Sequence, residues 1–117
     1  MPTCNPEDTD KAGLAAPLYF PAPAPGRKDD AGKLLAGVLK DFSPALLQVA
    51  EVGTFGAKKY TRGNWLQVDN GIERYEDALW RHLLQHDKDP ESGLDHLAHA
   101  AWNLLALITL HHKEKQQ

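Results

Sequence analysis

From Lys33 onward the apolar positions recur at helical rather than alternating intervals. The stretch "GKLLAGVLKDF" predicts a short helix. Ser43 followed by Pro44 reads as an N-cap with proline at the first helical position. The next helix carries Leu46, Leu47, Val49, Ala50 and Val52, with Gly53 and Gly56 on or near its buried face, where another backbone can come close. "TRGNWLQVDNG" is the loop that follows it. A helix from about Gly71 to His86 places Tyr75, Ala78, Leu79, His82, Leu83 and His86 on one side. "HDKDPESG" interrupts the pattern, with Asp89 predicted as a cap and Pro90 entering a last helix that runs to about His112. No segment alternates at period two for long enough to argue a strand. The expectation is an all-α chain of about four helices.

The first residues break this pattern. Pro2, Pro6, Pro17, Pro21, Pro23 and Pro25 exclude a helix, so residues 1–27 are expected to form an extended arm, either a disordered tail or a strap across a neighbouring subunit. Residues 28–113 form the helical domain and 114–117 a polar tail. At 117 residues the chain makes at most one domain with a modest core, and self-association would add to it. A net charge of −3 argues against a general nucleic-acid footprint but leaves room for a local basic pocket. The single cysteine, Cys4, rules out an intrachain disulfide and fits a reducing cytoplasm. No apolar run reaches membrane-spanning length.

Candidate chemistry sits in three places. In the last helix, Leu94, Leu97, Ala98, Ala101, Leu104, Leu105 and Ile108 make a broad apolar face, the expected core stripe. Opposite lie Asp95, His99 and Asn103 at four-residue intervals, with His96 beside them. That second face turns apolar at Ala106, Leu107 and Leu110, so His99 and Asn103 are expected to be buried and to need partners, either in neighbouring helices or in a ligand. His96 and His99 also have a spacing that can ligate a metal, a weak signal alone. In the middle helix Asp77 and Arg81 are four apart, an ordinary surface pair or part of a site, and His82 lies on the apolar side. Glu51 in the preceding helix is expected to point inward. In "FGAKKYTRGNW", Lys58, Lys59 and Arg62 offer cations for phosphates, Tyr60 and Trp65 offer stacking faces, and Asn64 can bond a base edge. The bland alternative is a solvated basic turn with Trp65 in the core.

The segments "EVGTFGAKKYTRGNW", "RYEDALWRHLL" and "DPESGLDHLAHAAWNLLAL", with "RKDDAGK" more weakly, resemble the phage-associated family labelled dATP/dGTP diphosphohydrolase, N-terminal domain, over roughly residues 27–110. That family in turn is similar to the all-α MazG-type nucleoside-triphosphate pyrophosphohydrolases, which hold magnesium on E-x-x-E and E-x-x-D helices and release pyrophosphate. The resemblance implies a MazG-like helical bundle completed by oligomerisation. It implies Glu51, Asp77 and Asp95 as metal ligands, with Mg or Mn as cofactor, and Glu51, Asp77 and His99 as catalytic residues. Lys58, Lys59, Tyr60, Arg62, Asn64, Trp65, Arg81, His82, His96 and Asn103 would bind the nucleotide. Where the MazG pattern has E-x-x-D, this chain has His96-x-x-His99, and histidine suits manganese, zinc or iron better than magnesium.

Two functions follow from these residues. One is a metal-dependent (deoxy)nucleoside triphosphate pyrophosphohydrolase. The other is a sponge, without metal or catalysis, that sequesters a cyclic or ADP-ribose-type immune signalling nucleotide. Both expect a nucleotide ligand and a homo-oligomer, dimer or tetramer, with no nucleic-acid polymer and no membrane. An inert structural subunit would leave the buried histidines unexplained.

Overall fold

The computed structural model describes residues 22–116. The chain divides into two units, residues 1–34 and 35–117. The first is described over residues 22–34, which form no helix or strand. It turns at Gly32, whose φ of +80° only glycine adopts freely, and there the Lys33 N–H donates to the Asp30 carbonyl at 3.0 Å. Most of the expected N-terminal arm lies outside the described residues.

The second unit is all-helical among the described residues, as the periodicity predicted. A 3-10 segment, Ala36–Phe42, leads into α1 (Ser43–Lys59), and a short 3-10 turn, Asn64–Gln67, precedes α2 (Gly71–Leu83). The last helix, α3, spans His96–Lys115 and packs against both α1 and α2, most extensively against α2. No helix among the described residues is long and apolar enough to cross a membrane.

Several boundaries differ from expectation, each for a local reason. "GKLLAGVLKDF" forms 3-10 rather than α-helix, and none of Ala36–Phe42 is buried, so little packing rewards a longer helix. Ser43 does not cap α1; its hydroxyl donates back to the Lys40 carbonyl at 2.6 Å, and Pro44 occupies the first turn. α2 ends at Leu83 rather than His86. Asp89 does not cap α3 and Pro90 does not open it. Asp89 instead closes a turn, accepting at Oδ1 from the N–H groups of Glu91 (2.7 Å) and Ser92 (3.2 Å). The Gly93 N–H donates to the Asp89 carbonyl and the Asp89 N–H to the Leu94 carbonyl, both at 2.7 Å, so α3 starts only at His96. It then runs past His112, through much of the expected polar tail, with His112, Lys113 and Lys115 in the last turn, where cations suit the helix dipole.

The core face of α3 lies mainly opposite its expected leucine stripe, from which Ala98 alone is buried. His96, Ala98, His99, Ala100, Asn103, Ala106 and Leu107 are buried. Leu97 is 72% exposed, Ile108 58%, and Leu104 and Leu105 each 48%. The alanines explain the inversion: three small residues let two helices approach α3 closely, and the intervening polar groups are satisfied, since no buried side-chain polar atom lacks a partner among the described residues.

An aromatic group fills the angle between the helices. Trp65, Tyr75 and Trp102 meet edge to face, with ring centroids 5.4–6.0 Å apart. The Tyr75 hydroxyl donates to the Trp65 carbonyl at 2.8 Å, fixing the loop onto α2. A Cβ at Gly53 would lie 3.2 Å from Trp102 Nε1, whereas one at Gly56 would meet nothing within 4 Å. Gly53→Val is expected to cost about 1–3 kcal/mol by overpacking against a tryptophan that its two aromatic neighbours hold in place. Gly56→Ala is expected to stabilise by up to about 1 kcal/mol through helix propensity. Urea unfolding of the two variants checks this contrast; equal effects would mean that α1 does not approach Trp102 as described.

Candidate functional site

A cleft of about 580 Å³ opens between α1, the loop after it, α2 and α3, within the range of small-molecule sites. Its α1 wall ends in Lys59 and Tyr60, and the loop adds Arg62, Gly63, Asn64 and Trp65. Gly63 sits at φ +81°, which lets the chain reverse and return Asn64 and Trp65 to the cleft. α2 contributes Arg74, Tyr75, Ala78, Arg81 and His82, and α3 contributes His99, Trp102 and Asn103. Arg62, Arg74 and Arg81 form no ion pair among the described residues. Lys59 is instead paired with Glu91 of the α2–α3 loop, and that hydrogen bond raises its pKa.

Beneath the cleft lies a knot of histidines. His82 stacks on His99, with ring centroids 4.5 Å apart and planes 13° from parallel. His82 Nδ1 and His96 Nδ1 are 2.8 Å apart, a hydrogen bond in which one ring donates and the other accepts. His99 Nε2 bonds to Ser92 Oγ at 2.7 Å, and that hydroxyl oxygen also accepts the Leu94 N–H at 3.1 Å. Asn103 donates from Nδ2 to the His99 carbonyl at 2.8 Å. Burial lowers the pKa of His82, and the adjoining His99 and His96 lower it further. Burial also lowers His99, with Asp89 opposing and His96 assisting. Partial burial pushes Asp89 up, but the N–H groups of Glu91 and Ser92, aided by His99 and His82, outweigh it and hold the carboxyl below its usual value.

Many of the residues singled out from the sequence therefore gather. Lys59, Tyr60, Arg62, Asn64, Trp65, Arg81, His82, His99 and Asn103 line the cleft. His96 is buried behind His82 rather than lining it. Lys58 is exposed and outside the lining, and so are Glu51 and Asp77. Asp95 is exposed at the N-cap position, where it holds α3 through its backbone carbonyl rather than joining His99 on a helical face. Glu51, Asp77 and Asp95 form no ligand cluster. Among the described residues, His82, Asp89 and His96 are the group whose ligand atoms lie within 4.8 Å of one another. The carboxylate set that magnesium requires is therefore not assembled at this cleft.

Sequence reasoning missed Arg74, Asp89 and Ser92. Arg74 could have been found, since it lies seven residues before Arg81 and so on the same face of α2. Asp89 and Ser92 sit in a non-periodic loop, where spacing says nothing about direction.

The fold and cleft together define a small all-helical protein whose cationic and aromatic pocket is floored by histidines. The pattern of the family described as dATP/dGTP diphosphohydrolase, N-terminal, matches residues 23–117, and the chain belongs to that family. A relative from Salmonella phage PMBT28, named dATP/dGTP diphosphohydrolase, is 43% identical over 67 residues, covering 54% of this chain. The match takes in 22% of that relative's own length. No solved structure matches the chain.

The lowered histidines set a pH dependence. The unfolded chain, with imidazoles near the ordinary value of about 6.5, binds protons that the folded His82 and His99 resist. Stability linked to them is complete above about 6.5 and is lost as pH falls from there toward their folded values. Asp89 acts with the same sign in a lower window, below the ordinary carboxylate range. The melting temperature is expected to fall between about pH 7.5 and pH 5.5, and His99→Gln should flatten that slope. A flat wild-type profile over that range would contradict the burial of these rings.

Proposed function

We propose that the cleft binds a purine deoxynucleoside triphosphate and that the protein hydrolyses it to the monophosphate and diphosphate, the activity named in the phage relative. The observation that carries this reading is the meeting of Arg62, Arg74 and Arg81 with the Tyr60 and Trp65 rings and the His82–His99 stack around one cleft. Guanidinium groups take phosphate oxygens bidentately, and an aromatic face takes a base. His99 is the general base. In the tautomer whose Nε2–H donates to Ser92 Oγ, its Nδ1 carries the lone pair that accepts a proton from the attacking water. Its lowered pKa keeps it neutral for that task. Asn103 lines the cleft one turn after His99 and is held by its bond to the His99 carbonyl.

The reading includes a homo-oligomer, a dimer or tetramer, because Leu97, Leu104, Leu105 and Ile108 leave a contiguous helix face exposed. Light scattering should report more than one copy, and Leu105→Glu should shift it toward a monomer. A wild-type chain that is monomeric at all concentrations removes this part.

Incubation with dATP, dGTP and a panel of ribonucleotides, cyclic nucleotides and ADP-ribose-type signals, with each divalent metal in turn, tests the whole. Liquid chromatography should show monophosphate and diphosphate from the purine deoxynucleotides. Arg62→Ala and Arg81→Ala should each weaken triphosphate binding by about 1.5–3 kcal/mol, the worth of a charge-assisted contact. His99→Ala should abolish cleavage while binding persists. Intact nucleotide recovered after heating the protein would replace hydrolysis with sequestration.

A further inference from the structure

We propose that His82, His96 and Asp89 form a site for one divalent transition-metal ion, of the zinc, manganese or iron class, at the floor of the cleft. These residues come from the last turn of α2, the first turn of α3 and the loop between them. Their ligand atoms lie within 4.8 Å of one another. Ligands at about 2.0–2.2 Å from a common ion require only a small inward movement from that spacing. The two Nδ1 atoms, now hydrogen-bonded at 2.8 Å, would separate slightly as the ion replaces that bond, the bridging proton moving to Nε2 of its own ring.

The donor set decides the class of ion. Two imidazoles and one carboxylate suit borderline transition metals, and three protein ligands leave a coordination position open, as in catalytic rather than structural sites. Magnesium, which demands oxygen, is excluded by the same chemistry. The surroundings are built to hold these ligands. Asp89 Oδ1 is fixed by two backbone N–H groups, leaving Oδ2 as the oxygen available to a cation. The His96 N–H donates to the Asp87 carbonyl at 3.1 Å, which anchors the start of α3 against the loop. His82 is held flat against His99, and His99 is held by Ser92. Supports of this kind orient metal ligands and tune affinity. His82 also lines the cleft, so the open position adjoins the space assigned to the triphosphate. The site stands on contacts within the chain. A protein that binds the ion yet cleaves nothing keeps this inference and loses the hydrolase reading.

The full chain, stripped with chelator and kept free of nucleotide, is titrated with Co²⁺ in the visible range and with Zn²⁺ by calorimetry. One ion per chain is expected, with the d–d absorption of imidazole–carboxylate coordination. Asp89→Asn keeps the size of the side chain and an oxygen acceptor for the loop, and should lower metal affinity roughly tenfold or more. His82→Gln should do the same, and circular dichroism confirms that each variant is folded. Glu51→Gln should leave affinity unchanged. The assignment is overturned if neither metal binds, if folded Asp89→Asn and His82→Gln bind as tightly as the parent, or if Glu51→Gln is the variant that loses the ion.

Discussion

The hydrogen bond between Ser92 and His99 joins the least regular part of the chain to its central helix. α3 presents His96, His99 and Asn103 toward its neighbours, and a buried polar group without a partner is costly. The loop after α2 meets that need. Its backbone is closed by the bonds of Asp89 with Leu94 and Gly93, so Ser92 is delivered to His99 by a rigid turn. The same turn carries Asp89 to the histidines and sends Glu91 to Lys59 at the far end of α1. One short loop thus sets the orientation of a ring, the position of a carboxylate and the anchoring of the cleft wall.

The cleft inherits its character from this arrangement. The histidine stack crowds three basic rings together, and burial with mutual repulsion keeps His82 and His99 neutral. Above them Arg62, Arg74 and Arg81 line the cleft with no carboxylate partner among the described residues. The chain carries a net charge of −3, so the cluster of cations at the cleft is a local feature rather than a property of the whole surface. The aromatic group beside it joins packing to the cleft: Trp102 fills the space against Gly53, and Trp65 lines the cleft.

Membership of the diphosphohydrolase family and the absence of its expected carboxylate cluster pull in different directions. Glu51 and Asp77, the ligands that the MazG resemblance implied, are both exposed in the single chain. Among the described residues, His96 and His99 are the buried ionisable side chains instead. Imidazoles favour transition metals where carboxylates favour magnesium.

The sequence by itself determined the helical class, the loop between α1 and α2 as a basic and aromatic segment, and the burial of His99 and Asn103. Each of these is written in local chemistry: apolar spacing of 3.6, glycine where the chain must reverse, and polar residues on a stripe that becomes apolar further along. It also marked much of the polar and aromatic cleft lining, because Lys59 to Trp65 form one segment and Arg81 and His82 adjoin. It did not determine which side of α3 is the core. Leucines promise burial wherever they fall, but close approach of two helices favours the alanine side, and that is a property of three elements at once. Nor did it determine that His82 would pair with His96 rather than His96 with His99, or that Asp89 would join them. Those contacts depend on where an irregular loop turns, and the turn is set by backbone hydrogen bonds between residues whose spacing carries no periodic signal.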